Sequence, residues 1–151
     1  MLMAESNKKW VVRRNQLKFS YEALYREVAA YFNLPPTAVW ILYTLMDTDG
    51  EIAQQDLGEQ WNFPKQTINS VIQNLNRDGY LTLTVIPGTR NRKAIRLTEQ
   101  GKELANQTAK LLAEAEERAA AHLTEEERTQ YLSLSAKFYN SLIEETKLIR
   151  R

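Results

Sequence analysis

Cysteine is absent from all 151 residues, and histidine occurs once, as His122. The first absence excludes disulfides, iron–sulfur clusters, thiolate zinc sites and any thiol redox sensor. The second leaves no group of imidazoles from which a zinc centre is built, so His122 reads as a lone surface side chain. Long apolar runs are also missing. The longest, Ala38 to Tyr43, is far too short to cross a bilayer. The stretch Met1 to Glu5 has no apolar segment of the signal-peptide kind. The protein is expected to act in the cytoplasm, with no membrane partner. There is no nucleophile elbow, phosphate loop or metal motif. Paired carboxylates such as Glu144-Glu145 occupy adjacent helical positions and do not face each other. The chain therefore reads as no enzyme, with no catalytic residues, no metal and no cofactor.

What is present is a hydrophobic content of 43%, enough for one core, and residues 1–151 are expected to form a single domain. Charge is spread along the chain and sums to only +1, but its distribution is uneven. Between Asn62 and Leu97 the charged residues are Lys65, Arg77, Arg90, Arg92, Lys93 and Arg96, with Asp78 the only acid. Between Glu99 and Glu127 eight glutamates face three basic residues. A basic stretch in a near-neutral chain points to a polyanion on one face; a merely solvated charged surface is the alternative.

Residues 7–33 read as a helix with an apolar stripe of Trp10, Leu17, Leu24, Val28 and Tyr31, stopped by Pro35-Pro36. Pro36 opens a second helix carrying Val39, Trp40, Leu42, Tyr43 and Met46, apolar nearly all round and so buried. Asp47-Thr48-Asp49-Gly50 is a turn cluster. After a single strand pairing at Ile52, a short helix spans Ala53 to Trp61. Asn62 supplies a turn that tolerates left-handed backbone. Pro64 opens a further helix to about Asp78, buried through Ile68, Val71, Ile72 and Leu75, with Gly79 as its cap. Two short helices joined by a tight turn make a helix-turn-helix. Tyr80 to Ile86 and Ala94 to Leu97 read as strands around the tip Pro87 to Lys93, a basic hairpin. Thr98 caps a helix running through Leu104, Leu111 and Leu112 to about His122. Thr124, with Glu127 three residues on, caps the last helix, which carries Tyr131, Leu134, Phe138, Leu142 and Ile149.

The fold class expected is mainly α with a small β-hairpin, a winged helix-turn-helix with N- and C-terminal dimerisation helices. Residues 36–98 form the DNA-binding portion, with the winged helix-turn-helix itself at about 52–98. Residues 7–33 and 99–151 are the dimerisation helices, whose apolar stripes are too extensive to stay exposed, so a homodimer is expected.

This order of elements resembles the multiple-antibiotic-resistance regulator (MarR) family over nearly the whole chain. Gln54-x-x-Leu57, Thr67-Ile68, Leu75 and Asp78-Gly79-Tyr80-Leu81 are similar to that family's helix-turn-helix. Arg90-x-Arg92-Lys93 followed by Ile95-x-Leu97-Thr98-Glu99-x-Gly101 is similar to its wing and the start of its fifth helix. The chain departs from the pattern in four places. Gly88 stands where the family places an Asp that pairs within the wing tip, and Asn91 stands for another Asp. Ser70 replaces a frequent Arg of the recognition helix. Pro64 replaces a capping Ser.

A recognition helix enters the major groove. Its outward face here is Lys65, Gln66, Thr67, Asn69, Ser70, Gln73 and Asn74. Amides and hydroxyls read base edges, so Gln66, Asn69, Ser70 and Gln73 are the candidate base contacts. Arg90 or Arg92 would enter the minor groove, and Lys93, Arg96, Arg77 and Lys65 would lie nearer phosphates. A two-fold dimer implies a palindromic double-stranded DNA operator with half-sites roughly 10 bp apart. The resemblance further implies a repressor released by a small aromatic or phenolic effector bound among Tyr25, Tyr31, Trp40, Tyr43 and Trp61. Packing of the core is the plainer role for these aromatics. A winged helix used as a protein-interaction module, without specific DNA binding, remains the alternative.

Overall fold

The computed structural model describes residues 6–48 and 51–151. The first five residues, and Asp49-Gly50 of the expected turn, lie outside them. The chain divides into two compact units, one through Leu112 and one from Ala113 onward.

The first unit opens with α1 (Asn7–Tyr31), capped by the Ser6 hydroxyl, which accepts from the Lys9 amide at 3.4 Å. It ends on Asn33, held left-handed at φ 56°, with Asn33 N–H donating to Ala30 and Leu34 N–H to Ala29. Asparagine tolerates this backbone better than other side-chain-bearing residues. The helix thus stops before the proline pair is reached. α2 (Pro36–Met46) follows, and it is the shared wall of the core. Ala38, Ile41 and Leu45 face one buried cluster with Leu57, Ile68, Val71, Ile72, Leu75, Leu81 and Ile95. Val39 and Leu42 face a second cluster with Ala29, Ala105, Ala109 and Leu112. An almost wholly apolar helix is needed because it has no solvent side.

β1 (Ile52–Ala53), α3 (Gln54–Trp61), α4 (Lys65–Arg77), β2 (Leu81–Val85) and β3 (Lys93–Leu97) come next. The strands form an antiparallel sheet in the order β1-β3-β2. Ile95 is opposite Ile52 on one side and Leu83 on the other. The winged helix expected from the sequence is present with each boundary within about two residues.

One expectation is corrected. The helix read from Thr98 to about His122 is two helices, α5 (Glu99–Gln107) and α6 (Ala109–Ala120). They break at Thr108, whose backbone lies at φ −133°, ψ −84°. The Thr108 side chain is buried and its hydroxyl donates to the Leu104 carbonyl at 2.7 Å. A threonine that bonds back to the preceding turn favours a bend. Neither glycine nor proline marks the place.

The second unit holds the end of α6 and α7 (Glu125–Lys147). Thr124 accepts from Glu127 N–H at 3.1 Å, and the Glu127 carboxylate accepts from Thr124 N–H at 2.8 Å. This is the reciprocal capping box expected from the sequence. Ile149 lies beyond the end of α7.

Candidate nucleic-acid interface

α4 is held by its two ends and one face. Ile68, Val71, Ile72 and Leu75 recur three and four apart and are buried, which fixes the rotation of the helix. Lys65, Gln66, Thr67, Asn69, Ser70, Gln73 and Arg77 consequently all face outward and are exposed. Before α4, Asn62 takes the left-handed turn at φ 53°. After it, Gly79 sits at φ 86°, with Tyr80 N–H donating to Leu75 at 2.9 Å and Gly79 N–H to Asn76 at 3.1 Å. This paired closure requires a residue at ease with positive φ. No side chain caps α4 at Pro64. Its first-turn amides, at the positive end of the helix dipole, stay beside Lys65 for an incoming anion.

The wing is the β2–β3 hairpin. Leu81 is buried, but Val85 is exposed, so the ladder leaves the core as it nears the tip. Gly88 takes a positive φ of 79° at the tip. The tip is closed by Ile86 N–H donating to Arg92 at 2.8 Å and by Thr89. The Thr89 hydroxyl donates to the Ile86 carbonyl at 2.6 Å.

Between the wing and the helix pair lies a cleft of about 940 Å³. Its walls include Gln54, Gln55, Lys65, Asn69 and Gln73 from the helices, and Arg90, Asn91, Arg92 and Lys93 from the wing. The predicted DNA-binding residues of helix and wing are therefore brought to one concavity. Gln66, Thr67, Ser70 and Arg77 stand on the outer face of α4 and are not part of that lining.

The charge is less free than a count along the sequence implies. Arg92 pairs with Asp56 of α3 at 3.0 Å, Arg96 with Glu51 at 3.1 Å and Arg77 with Asp78 at 3.2 Å. Asp56 and Glu51 precede the basic stretch in sequence and return to it in space. Among the described residues, Lys65, Arg90 and Lys93 carry no ion pair. All three paired arginines are about half exposed or more, so each pair contributes little stability and exchanges readily for phosphate.

Sequence reasoning missed the α3 residues of the cleft. Gln54 donates through Nε2 to Oδ1 of Asn69. Gln54 is part of the family-like pattern, yet a contact fifteen residues apart is visible only once the two helices cross.

The aromatics expected to line an effector site separate into two groups. Tyr25 and Trp40 meet edge-on with centroids 5.0 Å apart, and Trp40 and Tyr43 at 5.4 Å. Trp61 stacks on Trp40 at 5.3 Å and on Phe63 at 6.3 Å. Trp61 Nε1 also donates to the Thr44 hydroxyl at 2.6 Å. Tyr31 stands apart, 84% exposed, with its ring edge against Phe32.

A polar outward face on α4, an uncapped helix start and a basic wing around one cleft stand on a winged helix-turn-helix fold. Residues 32–90 match the model of the MarR family, and the chain has the fold of MarR-family transcription regulators. A MarR family regulator from Neisseria meningitidis is 22% identical with a TM-score of 0.73, covering 98% of this chain and 100% of its own. The S. aureus MepR–DNA complex is 22% identical with a TM-score of 0.70, covering 91% and 99%. PcaV from Streptomyces coelicolor, in complex with its natural ligand, is 20% identical with a TM-score of 0.64, covering 94% and 99%. No curated protein matches the chain. Among the described residues no helix is long and apolar enough to cross a membrane.

Proposed function

We propose that the protein is a sequence-specific DNA-binding transcription regulator, a cytoplasmic, non-enzymatic repressor that binds an inverted-repeat operator as a homodimer. The observation that carries this reading is the single cleft that joins Asn69 and Gln73 of α4 to Arg90, Arg92 and Lys93 of the wing. α4 is thirteen residues long, about 20 Å of helix, and a major groove admits one such helix. Its amides and hydroxyls read base edges, and the wing arginines supply the attraction that the near-neutral helix lacks. That a protein of this fold, S. aureus MepR, is seen bound to DNA supports the reading.

Dimerisation is supported by apolar side chains left on the outside of both units. Leu17, Phe19 and Leu24 of α1 are more than half exposed, as are Leu132, Leu134 and Tyr139 of α7. Faces of this size are costly in water, and residues 7–33 and 99–151 would bury them against the same helices of a second chain. Tyr25, Trp40 and Tyr43 would hold a small aromatic or phenolic effector whose binding changes the spacing of the two recognition helices. PcaV, which has this fold, is seen with its natural ligand.

A protein-interaction module is the second reading, favoured by the three arginines already paired with carboxylates. Binding to duplex DNA under competition separates the two. The regulator shows a specific component that survives excess random duplex, together with steep salt dependence. An interaction module shows neither.

A further inference from the structure

We infer that the operator is rich in A·T pairs in both grooves: α4 reads adenine and thymine in the major groove, and Arg90 takes a narrow A·T tract in the minor groove beside it. The inference rests on the DNA-binding reading above and deepens it by naming the base composition of the target. α4 carries two cations, Lys65 and Arg77, and they are its first and last residues. Neither is left for a base. Lys65 stands at the uncapped helix start, where its charge and the first-turn amides favour a phosphate. Arg77 lies in the last turn and pairs with Asp78 at 3.2 Å, whereas a recognition helix reaches bases through its N-terminal residues.

Between its two ends α4 is uncharged, and Gln66, Thr67, Asn69, Ser70 and Gln73 on its exposed face are amides and hydroxyls. The commonest guanine contact is a bidentate grip on N7 and O6 by arginine or lysine. This stretch has no cation to supply it. An amide carries an acceptor beside a donor, the complement of the exocyclic amine and N7 of adenine. The Thr67 methyl group suits the thymine methyl. The wing favours the same pairs for another reason. Arg90 follows Gly88, whose φ of 79° turns the tip. Among the described residues Arg90 is exposed and has no ion pair, whereas Arg92 and Arg96 are held by Asp56 and Glu51. A guanidinium entering a minor groove is drawn to A-tracts, which are narrow and concentrate negative potential. A G·C pair adds the guanine amine to the floor of that groove, a donor that a guanidinium cannot use. The helix thus selects by hydrogen-bond pattern and the wing by groove shape and potential.

The test is selection of bound sequences from random duplex DNA with the whole chain as wild type, Asn69→Ala, Gln73→Ala and Arg90→Ala. Positions whose preference the Asn69 and Gln73 variants flatten are those read by α4, and positions flattened by Arg90→Ala lie under the wing. Both sets are expected to be A·T pairs in the wild type. The selected operator is then rebuilt with base analogues. An inosine–cytosine pair presents the major-groove pattern of G·C with the minor groove of A·T, and a diaminopurine–thymine pair presents the reverse. Inosine–cytosine is expected to weaken binding about fivefold or more at an α4 position and to be tolerated under the wing. Diaminopurine–thymine is expected to weaken binding under the wing and to be tolerated at α4 positions. Selection of G·C pairs at either set of positions overturns the inference, as do analogue losses that are absent or fall in the opposite groove, or variant profiles identical to the wild type. If the wild type selects no sequence at all, it is the DNA-binding reading itself that fails. Asn69, Gln73 and Arg90 are exposed, and unchanged preferences at the remaining positions serve as the control for folding.

Discussion

Arg92 in the wing and Asp56 in α3 meet at 3.0 Å although thirty-six residues separate them. The pair ties the hairpin to the helix in front of α4. It also masks one positive charge of the cleft with a carboxylate that sits outside the basic stretch of the sequence. Asp56→Ala is predicted to raise affinity for random duplex DNA and to steepen its salt dependence by about one phosphate contact. Stability should fall by less than about 1 kcal/mol, because both partners are half exposed. Salt-titrated binding to random duplex checks this, and an unchanged slope would show that Arg92 never reaches the backbone.

Arg90 is exposed and, among the described residues, carries no ion pair. With Lys93 it is a wing cation that reaches a phosphate without breaking an ion pair. Arg90→Ala is predicted to weaken operator binding more than tenfold while leaving the oligomeric state unchanged, roughly the loss of one charged groove contact. Titration at fixed salt, with sedimentation of the same samples, reads both quantities.

Gly101 is required by a close approach rather than by its own backbone. A Cβ built there would lie 1.9 Å from the Tyr80 carbonyl oxygen. The approach is fixed by Thr98, whose hydroxyl accepts from Gly101 N–H at 3.0 Å and donates to the Gly79 carbonyl at 2.6 Å. Thr98 N–H also donates to the Tyr80 carbonyl at 3.1 Å. Gly101→Ala is therefore predicted to cost at least about 2 kcal/mol by forcing α5 off the end of β2. Urea unfolding measures it, and a cost below about 0.5 kcal/mol would mean that the junction gives way freely.

Much of this arrangement was legible in the sequence, and the reason is local. The stripe Ile68, Val71, Ile72, Leu75 states which face of α4 is buried, and so which face is free. Gly79 and Asn62 announce their positive φ. Thr124 and Glu127 announce their capping box. What stayed hidden depends on contacts between distant residues. The pairing of Arg92 with Asp56 and of Arg96 with Glu51 is invisible to a charge count, since the acids precede the basic stretch by many residues. The break at Thr108 carries no breaker residue; it comes from a buried hydroxyl bonding back to Leu104. Tyr31 shares the helical stripe of Val28 but not its environment, and only packing separates them.

The aromatic stack ties α2 to the helix-turn-helix through one hydrogen bond, from Trp61 Nε1 to Thr44, whose own hydroxyl donates to the Trp40 carbonyl. Thr44→Val removes the acceptor and leaves a half-buried indole N–H unpaired. The predicted loss is about 1–3 kcal/mol, together with a change in tryptophan fluorescence as Trp40 and Trp61 lose their stacking. An unperturbed spectrum and stability would show that the stack is held by ring contacts alone.

Leu24 and Leu134 are each more than half exposed, so charge at these positions adds little to the cost of folding a single chain. Leu24→Glu and Leu134→Glu are predicted to shift the protein from dimer to monomer. Sedimentation equilibrium distinguishes this from a dimer that persists in both variants, which would place the interface elsewhere.

The central claim is that α4 and the wing read duplex DNA by sequence as one half of a symmetric pair. Selection of bound duplexes from a random pool tests it most directly. The predicted result is an inverted repeat with half-sites roughly 10 bp apart, centre to centre. Recovery of unenriched random sequence, or of no DNA at all, would contradict it.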